Sequence, residues 1–201
     1  RIIKLTYDKK NYFKKKIHNN YLLDKNNLNN IHFVYKISKI FNISNHIIFK
    51  SLNLFQGLKF RKQIIFNKPE LKIINDSKST SFSSTNRLLL TYKNIYWIVG
   101  GILKKGDKFI IKKKYRKNIK AYIIGLNKKK YIDQFKNKIQ FKYCKYLKNA
   151  ILNLKKDIKK DPEEKTILFS PAAASFDQFK NFEDRGNYFN TLIKKIDLYG
   201  K

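Results

Sequence analysis

The 201-residue chain contains no methionine, one cysteine, one tryptophan, three prolines and seven glycines. Because it begins at Arg1 and lacks an initiator methionine, we expect it to be a fragment of a longer product. The single cysteine, Cys144, excludes an internal disulfide and is typical of a reducing compartment. It lies in an apolar pattern with Leu147, Ala150 and Leu154, so we expect it to pack in a core rather than to act as a nucleophile.

Long apolar runs are also missing. No run approaches the roughly 20 residues needed to cross a bilayer, and no signal peptide is visible, so we expect a soluble, cytoplasmic protein without membrane insertion. His18, His32 and His46 have neither metal-ligand spacing nor a neighbouring cluster of Cys or carboxylate residues. The sequence therefore predicts no metal site.

Acidic residues are few: 14, against 46 basic ones, which gives a net charge of +32. Such a charge indicates a nucleic-acid partner in many proteins. Only five of the basic residues are arginine, however, and lysine does not replace arginine in bidentate recognition of phosphate. Lysine is abundant together with Asn, Ile, Tyr and Phe, all residues of AT-rich codons. Codon drift is therefore the favoured interpretation, and a selected polyanion-binding surface stays open as the alternative.

Hydrophobic periodicity divides the chain near residues 56–60. Residues 1–24 alternate polar and apolar positions and predict short antiparallel strands with a turn near 8–10. Helices are expected at 28–41 and at 45–55, the second capped by Ser44 or Asn45. Gly57 then separates a first domain, 1–56, from a second domain, 57–201.

The second domain alternates strand and helix patterns. Strands are expected at 62–66, 71–75, 94–99, 120–124, 139–142 and 166–170. Helices are expected at 81–92, 106–117, 128–136, 144–158 and 176–195. This alternation predicts an α/β fold of the Rossmann-like type, a mostly parallel sheet with helices on both faces. Ligands of such sheets bind at the loops beyond the carboxyl ends of the strands.

Three polar motifs follow predicted strands at that edge. They are residues 73–80 (IINDSKST), residues 96–106 (YWIVGGILKKG) and residues 168–186 (LFSPAAASFDQFKNFEDRG). Each has an ordinary structural explanation by itself, as a helix cap, a glycine turn or an aromatic core stripe. Together they offer Lys78, Thr80, Lys104, Ser175 and the backbone near Phe182. Two ammonium groups, two hydroxyls and a helix N-terminus suit a small dicarboxylate.

The third motif closely resembles a motif of the Mur ligase family, SPACASFDQFKNFEDRG in the members that add D-glutamate. The two differ only at Ala173, where cysteine is usual. The first motif resembles INDSKAT(N/S), and the second resembles (L/I/V)GG-x-x-K with Lys104 at the matching position. The resemblance implies a D-glutamate site in which Thr80 and Lys104 hold one carboxylate. Ser175 and Phe182, with Phe176 beside them, hold the other, and Lys78 and Lys104 are the catalytic lysines.

The resemblance extends towards the N-terminus. Residues 22–30 (LLDKNNLNN) are similar to LxGxHNxxN, and residues 57–61 (GLKFR) are similar to GLPHR. This similarity implies that Asn27 and Asn30 contact adenine and that Arg61 and Asp76 face the nucleotide. The first domain would then be the end of the central ATP-binding domain. Asn26 and Phe60 stand where histidine is usual, so the nucleotide contacts match less well than the amino-acid pocket.

The implied activity is ATP-dependent ligation of D-glutamate to UDP-N-acetylmuramoyl-L-alanine in peptidoglycan precursor synthesis, by a monomer without a specific nucleic-acid partner. ATP and Mg²⁺ would be the cofactors, with the Mg²⁺ ligands outside this chain. No G-x-x-x-x-G-K-[ST] loop occurs in the sequence, so we expect the chain alone not to catalyse the reaction. An inactive ligase remnant and a basic polyanion-binding module stay open as alternatives.

Overall fold

The computed structural model describes residues 7–19, 21–23, 27–159 and 163–196. The chain divides into two compact units, residues 1–58 and residues 59–201. None of the helices in the described ranges is long and apolar enough to cross a membrane.

The first unit is helical where it is described. Its helices are α1 (Tyr7–Lys16), α2 (Asn27–Ile40) and α3 (Asn45–Leu54). Helix α1 contradicts the antiparallel strands expected in residues 1–24; the part of that prediction on residues 1–6, 20 and 24 lies outside the described residues. The reason is that Phe13 and Ile17 are four residues apart and both are buried, which places them on one helical face.

The other two helices of this unit confirm the sequence prediction. Helix α3 has the predicted cap, because Ser44 accepts a hydrogen bond from the Ile47 N–H. Helix α2 buries Leu28 and Ile31 in a small core with Phe13 and Ile17. Four of its other apolar residues are exposed, at Phe33, Val34, Ile37 and Ile40, and Phe41 directly after the helix is exposed as well.

The second unit is a six-stranded sheet with helices on both faces. The strands are β1 (Gln63–Lys68), β2 (Leu71–Asn75), β3 (Ile95–Gly100), β4 (Ile119–Ile124), β5 (Gln140–Lys145) and β6 (Lys165–Phe169). The helices are α4 (Phe82–Thr91), a 3₁₀ helix (Lys113–Asn118), α5 (Lys128–Phe135), α6 (Leu147–Ile158) and α7 (Phe182–Ile196).

The strand order is β1-β2-β6-β3-β4-β5. Strand β1 pairs antiparallel with β2, and all the other neighbours are parallel. Residues of α6 and α7 pack on one face, and residues of α4 and α5 pack on the other. The α/β fold class predicted from the sequence is therefore confirmed. The core of this unit is strongly apolar: β3 has the sequence IYWIVG, and each of these residues is buried.

Cys144 has the packing role expected from its pattern. It is buried at the end of β5, against the α6 face of the core that includes Leu147 and Ala150. Burial raises the pKa of its thiol, which disfavours the thiolate that a nucleophile requires.

Two predicted helices are wrong in extent. In place of the helix at 106–117, the chain forms the 3₁₀ helix only from Lys113. Phe109 and Ile111 are buried and Ile110 is exposed, an alternation that belongs to extended chain. The helix expected at 176–195 begins at Phe182, because Ser175 first closes a turn in which its carbonyl accepts the N–H groups of residues 178 and 179.

The sheet order brings the three polar motifs together. They follow β2, β3 and β6, and β6 lies between the other two strands. Because these strands are parallel, their carboxyl ends share one edge, and the three motif loops leave the sheet side by side.

Glycine is required where the β3 loop meets the β6 loop. Gly101 has φ +127°, and a Cβ there would lie 2.2 Å from the Ala174 carbonyl oxygen. We expect Gly101→Ala to lower the free energy of unfolding by about 3 kcal/mol or more, because backbone must move to relieve the contact. Gly106→Ala is the matched control, since its φ is +77° but nothing lies within 4 Å of the added Cβ. Its expected cost is about 1 kcal/mol of backbone strain. Urea unfolding measures the stability of both variants. Equal losses of stability would contradict the close approach of Gly101 to the Ala174 carbonyl.

Candidate functional site

The loop after β2 is fixed by a buried asparagine. The Asn75 side chain donates to the Gly186 carbonyl at 2.9 Å and to Asn190 Oδ1 at 2.7 Å, and its own oxygen accepts the Ser77 N–H at 3.0 Å. Ser77 Oγ in turn donates to the Phe182 carbonyl at 2.8 Å. These bonds attach the first loop to the beginning of α7.

The loops after β3 and β6 are joined by backbone hydrogen bonds. The Gly100 N–H donates to the Pro171 carbonyl at 2.9 Å. Ile102 and Ala174 exchange N–H to carbonyl bonds of 2.9 and 3.1 Å, which form an isolated bridge. The second and third loops therefore run together for several residues beyond the sheet.

A buried arginine, Arg185 on α7, contacts all three loops. Its Nε donates to Ser77 Oγ at 3.1 Å, and its Nη2 donates to the carbonyls of Ser77 and Ala173 at 2.8 and 3.0 Å. Its Nη1 reaches the Gly100 carbonyl at 3.5 Å. Burial lowers the pKa of the guanidinium to about 10, so it stays charged at neutral pH. The positive charge is satisfied mainly by backbone carbonyls, one or more from each loop.

The residues predicted to bind D-glutamate lie on the loops that Arg185 joins. Lys104 lies two residues after Ile102 in the loop after β3. Buried Ser175 directly follows Ala174 in the loop after β6. Lys78 Nζ lies 3.6 Å from the centre of the Phe182 ring, a cation–π contact between the first loop and α7. Half-buried Thr80 lies between that loop and α4.

The aromatic residues of the third motif differ from the predicted helical stripe. Phe182 is the first residue of α7, at the helix end where the first N–H groups have no acceptor within the helix itself. Asn181 caps this helix, since its Oδ1 accepts the Asp184 N–H at 2.7 Å. Phe176 lies in the preceding turn and is 71% exposed, so its side chain does not form part of the core.

Asp76, predicted to face the nucleotide, is buried and already has protein partners. Its Oδ1 accepts the Lys62 N–H at 3.0 Å, and its Oδ2 accepts the Ser170 hydroxyl at 2.8 Å. This carboxylate therefore holds the segment before β1 against the loops after β2 and β6. Arg61, its predicted companion, is exposed beside that segment.

A chain of hydroxyl groups continues from Ser170 into the first turn of α4. Ser170 Oγ lies 2.7 Å from Thr85 Oγ1, which lies 2.6 Å from Ser79 Oγ. Ser79 Oγ is 2.7 Å from Ser84 Oγ. Burial raises the pKa of Asp76 to about 6, although the bonds from Ser170 and Lys62 oppose this shift. Asp76 thus ends a buried polar network that can gain or lose one proton near neutral pH.

The two predicted adenine contacts lie in the first unit. Asn27 begins α2 and donates from Nδ2 to the Tyr21 carbonyl at 2.7 Å. Asn30 is exposed one turn later, on the same side of the helix. Asp24 and Asn26, the departures from the usual motif, lie outside the described residues.

Sequence reasoning missed Arg185 and Phe60 as organising residues. Phe60 has φ +61°, is buried and packs on Gly186, where an added Cβ would lie 2.4 Å from its ring. It also meets Phe182 edge-on at 6.5 Å between ring centres. Arg185 carried a usable signal, because an arginine retained in a chain so rich in lysine indicates a requirement for the guanidinium fork.

In the part of the chain that the structure describes, no group of three or more His, Cys, Asp or Glu side chains could hold a metal ion.

Several curated proteins are similar to most of this chain. It is 38% identical over 191 residues to the UDP-N-acetylmuramoylalanine–D-glutamate ligase of Rickettsia prowazekii, covering 90% of this chain and 43% of the relative. The ligase of the same name from the Wolbachia of Brugia malayi is 35% identical over 170 residues, covering 85% of this chain and 34% of the relative. The chain therefore spans well under half the length of the curated relatives that it matches. No protein-family model matches it.

The fold is similar to that of a solved structure, MurF from Acinetobacter baumannii. The TM-score is 0.62 at 18% identity, and the match covers 88% of this chain and 38% of the other. At this identity the match shows a similar fold.

The contacts of Arg185 predict a specific loss of stability. We expect Arg185→Lys to lower the free energy of unfolding by on the order of 3 kcal/mol, because one ammonium cannot satisfy the carbonyls of three loops. Arg61→Lys is the control, since Arg61 is exposed, and its expected change is within about 0.5 kcal/mol. Urea unfolding of both variants measures the two changes. A decrease in the free energy of unfolding below about 1 kcal/mol in Arg185→Lys would contradict the role of Arg185 in holding the three loops together.

The raised pKa of Asp76 predicts a pH dependence of stability. The folded state holds this proton more tightly than the unfolded chain, whose carboxyl has a pKa of about 3.8. The free energy of unfolding therefore falls as the pH rises from about 4 to about 6, and the contribution of this group is constant above that range. The difference corresponds to about 3 kcal/mol.

Asp76→Asn removes the titration and keeps the shape of the side chain. We expect the stability of the wild-type protein relative to this variant to decrease across pH 4–6.5 in urea unfolding. A difference that is constant over this range would refute the shifted titration.

Proposed function

We propose that the chain belongs to the Mur ligase family and is the C-terminal, D-glutamate-binding part of a ligase that joins D-glutamate to UDP-N-acetylmuramoyl-L-alanine. The relatives named for this reaction support the choice of amino acid. In this proposal residues 1–56 are the end of the ATP-binding central domain, and residues 57–201 are the amino-acid-binding domain.

The junction of the three loops supports this function most strongly. Arg185 fixes the loops that carry Lys78, Lys104 and Ser175 at one edge of the sheet. These loops carry two ammonium groups and several hydroxyls, and Lys78 of the first loop contacts Phe182 at the N-terminus of α7. A small dicarboxylate needs positive charge and hydrogen-bond donors for two separate carboxylates, and these groups can supply both.

We assign the groups to the two carboxylates as follows. Lys104 and Thr80 bind one, and Ser175 and the Phe182 backbone bind the other. Lys78 then lies towards the reacting groups, where its charge stabilises negative charge that develops on the acyl centre. The contribution of this domain to the rate is mainly proximity and orientation of the D-glutamate amine.

The nucleotide contacts fit less completely. The exposed guanidinium of Arg61 can reach a phosphate, whereas both oxygens of Asp76 are used by Lys62 and Ser170. ATP would supply the phosphoryl group that activates the substrate carboxylate. Mg²⁺ would be held by the part of the ligase that carries the phosphate-binding loop. We place the enzyme in the cytoplasm as a monomer.

Binding of D-glutamate tests the proposal directly. Calorimetric titration of the chain with D-glutamate should give saturable binding, with L-glutamate at least about tenfold weaker. Lys104→Met should weaken D-glutamate binding by about 10- to 100-fold, because a charge-assisted bond is lost. Lys105→Met is the matched control, being exposed and adjacent but outside the assigned contacts. Equal effects of the two variants would contradict the assignment of Lys104.

A test of the proposed catalysis requires a protein that also carries the remaining domains of the ligase. We expect phosphate release from ATP to depend on both UDP-N-acetylmuramoyl-L-alanine and D-glutamate there, and to be absent from the 201-residue chain alone. A folded full ligase that binds D-glutamate and releases no phosphate would identify an inactive remnant.

A further inference from the structure

A surface cavity lies at the opposite end of the sheet from the three loops. Its volume is about 540 Å³, and it is lined by Arg116, Lys117, Asn137, Lys138, Ile139 and Gln140. Strand β4 begins at Ile119 and β5 begins at Gln140, so the cavity lies at the amino ends of these parallel strands. The proposed D-glutamate site is at the carboxyl ends of the same sheet.

The walls of this cavity carry positive charge without a compensating acid. Three of the six lining residues are cationic and none is acidic. Lys138 Nζ is held at the wall, because it donates to the Phe109 carbonyl at 3.1 Å. Neither Asp157 nor Asp107 lines the cavity. Asp157 pairs with Lys120 at 2.8 Å, and Asp107 accepts the Phe82 N–H at 2.8 Å. Asp133 is exposed on α5.

Arg116 provides an independent indication of a ligand. Its Nε is buried, and within the described ranges it has no hydrogen-bond partner. A buried donor without an acceptor costs about 1–3 kcal/mol, so such donors are rarely left unmatched. Arg116 is also one of only five arginines in the chain. Codon drift towards lysine explains the exposed lysines but not an arginine with an unmatched buried nitrogen.

We propose that this cavity binds a phosphate group, either free phosphate or the terminal phosphate of a small metabolite. Arg116 lines the cavity, and a guanidinium can bind two phosphate oxygens through two parallel N–H groups. Lys117 and Lys138 add charge for a dianion, and Asn137 adds an amide donor. The site is distinct from the D-glutamate site and does not depend on the proposed ligase reaction.

Arginine side-chain resonances test the proposal on the chain itself. Nitrogen-15 NMR resolves each arginine Nε–H, and five arginines allow assignment by substitution. Inorganic phosphate at constant ionic strength should shift the Arg116 signal with saturation in the millimolar range or below. Ribose 5-phosphate distinguishes the two sources: tighter binding than phosphate indicates an esterified ligand, and equal or weaker binding indicates free phosphate.

Variants make the test specific. Arg116→Gln should weaken phosphate binding at least tenfold, and Lys117→Gln should weaken it about threefold. Lys128→Gln, an exposed lysine outside this cavity, should leave it unchanged. If Arg116→Gln does not fold, Arg116→Lys keeps the charge and should still lose most of the binding, because the fork is lost. Unsaturable shifts, shifts reproduced by chloride, or equal weakening by Lys128→Gln would each overturn the proposal.

Discussion

The structure of the candidate site depends on one buried charge. The guanidinium of Arg185 bonds to Ser77 and Ala173, which belong to the loops after β2 and β6, and to Gly100, from which the loop after β3 begins. A buried cation must find its full set of acceptors, since an unpaired charge in the interior is strongly unfavourable. Folding therefore cannot bury Arg185 without bringing the three loops to fixed positions. The charge determines where Lys78, Lys104 and Ser175 stand relative to one another.

A second buried network acts on the same edge of the sheet. Asp76 joins the segment before β1 to Ser170, and a row of hydroxyls carries the hydrogen bonding into α4. Both networks consist of polar groups that satisfy each other in a low-dielectric interior, so each makes the loop geometry specific. The backbone of the loops supports this arrangement, because Gly100 and Gly101 permit approaches that a side chain would block.

The sequence predicted much of this fold. Buried strands and amphipathic helices between them have distinct periods, so the α/β class and all six strands of the sheet could be read. The helix predicted at 106–117 does not form over that range, because Phe109 and Ile111 are buried on either side of an exposed residue, as in extended chain. Helix α7 begins later than predicted, because Ser175 first closes a turn. Residues 7–16 form a helix in place of the predicted strand, since Phe13 packs on one helical face with Ile17, which follows the helix. The motifs predicted which loops share one edge of the sheet, whereas the role of Arg185 depends on long-range contacts that no local pattern contains.

The most direct test of the account is a crystal structure of the chain grown with D-glutamate. The account predicts density for the amino acid between Lys104 and Thr80 on one side and Ser175 and the N-terminus of α7 on the other, with the Arg185 contacts unchanged. D-glutamate bound elsewhere, or loops separated from Arg185 in a well-ordered crystal, would contradict it.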